Sequence, residues 1–122
     1  MKRDMELVLK ILKYFEEREE ISVVSCLTLP GYDDRVVAYH VRRMYEGGLL
    51  DAEAVTSSRT ETRLINVLPF GHTWEGHEFL DSMRNETVLN QVKQRLGGAL
   101  SEVPYTLIRE VALAFGRSLV GL

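Results

Sequence analysis

The chain has one cysteine, Cys26, so no disulfide can form within it. The residue lies in an apolar run and reads as a small core side chain in a reducing cytoplasm. No apolar stretch approaches the roughly twenty residues that span a bilayer, and Met1 leads into a charged amphipathic helix instead of a secretion signal. Both features point to the cytoplasm. A basic block is missing too: residues 2–20 carry five Lys/Arg against six Asp/Glu, 31–50 three against three, and 75–95 three against four. Duplex binding needs clustered Lys and Arg to replace counterions on phosphate, so this evenness counts against strong non-specific DNA binding. It leaves room for a basic face assembled in three dimensions. Catalytic signatures are absent as well: there is no G-x-S-x-G elbow, no P-loop, no dinucleotide fingerprint and no evident Cys–His pairing. No enzyme and no cofactor is expected.

What is there suits one α+β domain. The 122 residues are 45% hydrophobic and 27% charged, ordinary for a chain that buries its own core. The most informative stretch is 31–50, GYDDRVVAYHVRRMYEGGLL. Asp33 can cap a helix by accepting from the free N–H groups of its first turn, and Asp34 sits where the helix dipole favours negative charge. Val37, His40, Val41 and Met44 then recur at helical spacing as one buried stripe, with Arg35, Tyr39, Arg42 and Glu46 opposite. Gly48 is placed to take the left-handed conformation after the helix, and Leu49 to fold back on the last turn.

Around this stretch, residues 4–17 predict a helix with Leu7, Val8, Ile11, Leu12 and Phe15 inward. The β-branched run SVVSCLTL, 22–29, predicts a strand that stops at Pro30. Residues 49–55 and 63–68 predict an antiparallel hairpin across the polar TSSRTET. Pro69, Phe70 and Gly71 are then expected to bend the chain toward a cap at Thr73. A helix follows from Trp74 with Phe79, Leu80 and Met83 on the core, and Trp74 is expected there too. Asn85 is a candidate break before Val88, Leu89, Val92 and Leu96, which run on to the stop at Gly97-Gly98. A last helix starts near Pro104. Its apolar residues Leu107, Ile108, Val111, Ala112, Phe115 and Leu119 cover so much of the circumference that it is expected to be central or to pair with a second copy in a homodimer.

The HVRRM…EGGLL helix running into a strand resembles the recognition helix of winged-helix proteins, and TWEGHEFLD, 73–81, resembles their exit from the wing through a threonine cap. With MKRDMELVLKIL, LPGYDD and the terminal LVGL, the chain is similar to an uncharacterised bacterial and phage-borne family, domain of unknown function 2513. The resemblance spans nearly the whole chain. It implies a winged-helix-like core over 1–84 with a helical extension over 85–122, a three-stranded sheet and frequent residence in prophages. It implies no activity. The chain departs from the family pattern at His72, where an apolar residue is expected, and over 56–62, which lacks glycine and aromatics. It departs from an ordinary winged helix too, because only about three residues separate the expected strand from the Asp33 cap. No room is left for the helix that normally crosses the phosphate backbone.

Candidate nucleic-acid residues are Arg35, Tyr39, Arg42 and Arg43 on the helix, with Arg59 and Arg63 on the hairpin, because guanidinium groups read guanine edges and clamp phosphate. The plainer reading makes them solubilising charges paired with Asp34 or Glu46. His40, on the apolar stripe, reads as a hydrogen-bonded core histidine. His72, Glu75 and His77 form H-x-x-E-x-H, which matches neither zincin spacing, so no metal is expected. Two functions follow: a non-enzymatic DNA-binding or regulator-like protein, double-stranded DNA being the partner, or a protein–protein interaction module on the same scaffold.

Overall fold

A computed structural model describes residues 2–59, 64–84, 86–96 and 104–119. Helices α1 (Met5–Glu17) and α2 (Asp34–Glu46) are followed by strands β1 (Leu50–Thr56) and β2 (Leu64–His72), then α3 (Trp74–Arg84), α4 (Glu86–Leu96) and α5 (Tyr105–Leu119). Among the described residues no helix is long and apolar enough to cross a membrane.

Helices α1, α2 and α3 begin where a side chain satisfies open N–H groups of the first turn. Asp4 caps α1, its carboxylate accepting from the N–H groups of Glu6 (3.0 Å) and Leu7 (3.3 Å), and Asp33 caps α2 through Arg35 (2.8 Å). The expected inward residues of α1 are all buried, and α2 buries Val37, His40, Val41 and Met44. Phe79, Leu80 and Met83 of α3, Val88 and Val92 of α4, and Ile108 and Ala112 of α5 complete one core. Each large aliphatic side chain buried there contributes about 1.5–3 kcal/mol relative to exposure.

His40 is the one buried polar side chain among the described residues, 1% exposed, and both ring nitrogens are used. Nδ1 lies 2.8 Å from the Val36 carbonyl one turn back, and the Asp4 N–H donates to Nε2 at 2.8 Å. The backbone donor fixes Nε2 as acceptor, so the proton is on Nδ1, and the ring ties the start of α1 to the middle of α2.

The end of α2 is a Schellman turn. Leu49 N–H donates to Met44 O (2.8 Å) and Gly48 N–H to Tyr45 O (3.1 Å), with Gly48 at φ +81° and Leu49 buried against the core. Thr73 then locks the turn to α3. Its hydroxyl donates to Gly48 O and accepts from Gly76 N–H, while its own N–H donates to Leu49 O. Gly76 makes this possible, because a Cβ there would collide with the Leu49 carbonyl oxygen.

Among the described residues two strands form the sheet, not three. Residues 22–29 are not a strand: Leu27 is buried and Val24 partly so, but Ser22, Val23, Ser25 and Cys26 face solvent. One backbone bond, Val24 N–H to Pro69 O (2.8 Å), joins the segment to β2. A residue's N–H and C=O point to the same edge of a strand, so the N–H that would answer Val24 belongs to Pro69, which has none. The ladder stops after one bond. Cys26 is therefore exposed and is no core residue.

β1 and β2 pair antiparallel from Leu50 opposite His72 to Thr56 opposite Leu64. The bend expected at Pro69-Phe70-Gly71 is instead an irregularity inside the ladder: Asp51 faces Gly71 and Ala52 faces Pro69, leaving Phe70 without an opposite number. From Glu53 to Thr56 every β1 side chain is exposed. The outer half of β1 therefore stands in solvent, and residues 60–63, between the two strands, lie outside the described residues.

Trp74 is also not in the core. It is 74% exposed, and its indole N–H donates to Glu78 Oε1 at 2.9 Å. The Gly97-Gly98 stop and the break at Asn85 lie outside the described residues, although α3 does end at Arg84 and α4 begin at Glu86. The helix expected from Pro104 starts one residue later, the Pro104 carbonyl accepting from Leu107 and Ile108.

Candidate nucleic-acid interface

Because α2 buries one stripe, it must turn the other outward, and four of the six candidate residues share that outer face. Arg35 is the most open, its side chain 88% exposed, with its guanidinium 3.7 Å from Asp33. Arg42 and Arg43 converge on one carboxylate: Arg42 Nε is 3.3 Å and Arg43 Nη1 2.9 Å from Glu46. Arg43 also lies over the Tyr39 ring, 5.3 Å from its centroid. Glu46 is held below the usual carboxylate range, first by its hydrogen bond to Arg43 and then by Arg42. Tyr39 and then Glu46 raise Arg43 above its usual range. With Asp33, Asp34 and Glu46 beside Arg35, Arg42 and Arg43, this face is locally balanced.

Arg59 is exposed beyond the end of β1, its N–H bonded to the Ser57 hydroxyl (3.2 Å). At about 3.3 Å per residue, a seven-residue strand carries it about 20 Å from the Schellman turn. Arg63 lies outside the described residues. Helix and hairpin meet at the hydrogen-bonded Gly48–Leu49–Thr73 joint, so a partner touching both would meet the helix face and the hairpin together.

Sequence reasoning missed what lies behind this face. A cavity of about 250 Å³ opens between the start of α1 and the second half of α2, floored by Met5, Val8, Met44 and Leu49, with Arg3, Tyr39, Arg43 and Tyr105 around it. The Tyr105 hydroxyl is buried there without a hydrogen-bond partner among the described residues, and burial raises its pKa. Nothing local announces such a cavity, because its walls come from three elements distant in sequence.

The histidine motif is divided by the fold. The rings of His72 and His77 meet edge to face at 5.3 Å, whereas a Glu75 carboxylate oxygen lies over the Gly48 turn, 3.7 Å from where a Cβ would stand. His77 keeps company with Asp81 at 3.1 Å and with Glu16 of α1.

Comparison with known proteins places the chain without assigning this face a role. The family described as "Hypothetical protein (DUF2513)" matches residues 2–99. A Haemophilus influenzae protein described as "Uncharacterized protein" is 31% identical over 116 residues, which is 92% of each chain. No solved structure matches. A match over most of the chain, together with a relative aligned nearly end to end, shows that this protein belongs to the DUF2513 family.

Proposed function

We propose that the chain is a non-enzymatic, winged-helix-like DNA-binding or regulator-like protein of prophage character, reading duplex DNA with the outer face of α2 and bracing on the hairpin. The observation that carries this reading is the grouping of Arg35, Tyr39, Arg42 and Arg43 on one exposed face, one turn away from a two-stranded arm. The pairing of Arg42 and Arg43 with Glu46 does not bar it. Exposed ion pairs contribute little and exchange readily, so a phosphate can take both guanidinium groups from the carboxylate. A homodimer through α5, where Leu107 is 46% exposed, would present two such faces to two half-sites.

Few cations are available, so binding is modest and salt-sensitive. If Arg35, Arg42, Arg43 and Arg59 each neutralise a phosphate, log K falls against log salt with a slope of about −3 to −4. Fluorescence anisotropy of the protein with duplex fragments from low to physiological salt measures that slope. The reading requires an Arg42→Ala/Arg43→Ala variant to lose about half of it; no binding at low salt ends the DNA reading.

The second reading, a protein-binding module on the same scaffold, is favoured by the charge balance of the α2 face and by exposed apolar side chains such as Ile21 (88%) and Trp74 (74%). Desolvating apolar surface, not neutralising phosphate, would then supply the affinity. Salt-insensitive binding to a protein partner would distinguish it.

A further inference from the structure

Glu16 in the last turn of α1 and His77 and Asp81, one turn apart on α3, bring two carboxylate oxygens and a ring nitrogen within 4.8 Å of one another. His72 closes β2 beside them, its ring against that of His77, and its Nε2 is buried without a hydrogen-bond partner among the described residues. Arg84 hydrogen-bonds Glu16 and lies 3.0 Å from Asp81. Its guanidinium is the positive charge that the two carboxylates gather, but it is half exposed and can swing away. Helices α1 and α3 therefore supply one imidazole and two carboxylates around one point, and β2 sets the His72 imidazole at the edge of that cluster, against His77.

We propose that Glu16, His77 and Asp81, with His72 as the fourth donor, form a site for a zinc-class divalent cation that displaces Arg84. The donor set selects the class. Imidazole nitrogen suits zinc, whereas calcium and magnesium take oxygen alone, and four donors complete a tetrahedral shell. Zinc–ligand distances of about 2.0–2.2 Å put neighbouring donors about 3.5 Å apart. Glu16, His77 and Asp81 must close by about 1 Å, a movement within the reach of rotamer changes at a half-exposed surface, and His72, outside that cluster, must turn about its side-chain bonds to reach the fourth position. The H-x-x-E-x-H pattern held the right histidines and the wrong carboxylate. Its Glu75 faces the Gly48 turn, and the ligating acids come from one turn later and from α1. Bound metal would clamp the end of α1 to α3.

The test uses the full chain carrying Cys26→Ser, so that the exposed thiol offers no rival ligand, stripped with chelator. Zn²⁺ is titrated calorimetrically and Co²⁺ by visible absorption, whose intensity reports four- or five-coordinate nitrogen and oxygen ligation. One equivalent is expected to bind. Removing a ligand by His77→Ala or Asp81→Asn is expected to weaken binding by about tenfold or more, and Glu75→Gln to leave it unchanged. Arg84→Gln is expected to strengthen it, because the competing cation is gone; a purely structural Arg84 would give no gain. The proposal is overturned if no stoichiometric binding occurs, if Asp81→Asn and His77→Ala both bind as the parent does, or if Arg84→Gln weakens binding. Should His77→Ala fail to fold, Asp81→Asn and Arg84→Gln decide.

Discussion

The two faces of α2 use the same helix in opposite ways. On the inner face, His40 has both nitrogens committed and Met44 receives the Leu49 N–H that closes the helix. On the outer face, Arg42 and Arg43 share a single carboxylate, and Arg35 has a neighbour only at 3.7 Å. Removing a partner inside strands a buried donor, whereas removing one outside returns the group to water. The inner face therefore decides the fold, and the outer face is free to exchange partners.

The largest effect should come from His40→Ala. It leaves a cavity and takes the acceptor from the Asp4 N–H, at a cost of about 4 kcal/mol, measurable as a lowered midpoint in urea. A variant as stable as the parent would break the comparison at its firmest point. Gly76→Ala comes next: the added methyl must push α3 off the Leu49 carbonyl, at a cost of about 2–3 kcal/mol. Its hydrogen exchange should quicken first at Leu49 and Thr73, the joint that positions the hairpin.

On the outer face, Arg42→Ala/Arg43→Ala should leave the thermal midpoint unchanged while weakening DNA binding. A substantial loss of stability would mean that the outer face also supports the fold. The smallest effect concerns pH. Glu46 is depressed below its ordinary value of 4.5 by Arg43 and then Arg42, so its contribution is in place above 4.5 and is lost as pH falls through the lower folded value. The stability difference between the parent and Glu46→Gln should stay flat from pH 8 down to that region and vanish only below it.

Local rules made much of the fold legible. The caps at Asp33 and Thr73, the stripe of α2 and the left-handed Gly48 each depend on residues within one turn. Where a partner distant in sequence decides, the pattern misleads. Residues 22–29 have strand composition, but their neighbour offers Pro69 at the point where an N–H is needed. Trp74 carried a signal that apolar character hid: Gly76, not Trp74, keeps helical register with Phe79, Leu80 and Met83, and it is Gly76 that packs on Leu49. The candidate site divides in the same way. The grouping on α2 was readable from spacing, as was the possible pairing of its arginines with Glu46. The meeting of Glu16 with His77 and Asp81 was not, because sixty or more residues lie between Glu16 and either.

The most direct measurement compares duplex binding by the parent, Glu46→Gln and Arg42→Ala/Arg43→Ala at low salt by fluorescence anisotropy. If the outer face exchanges Glu46 for phosphate, Glu46→Gln binds more tightly than the parent and the double arginine variant more weakly. Equal affinity in all three, or no binding by any, would contradict the account and turn attention to a protein partner.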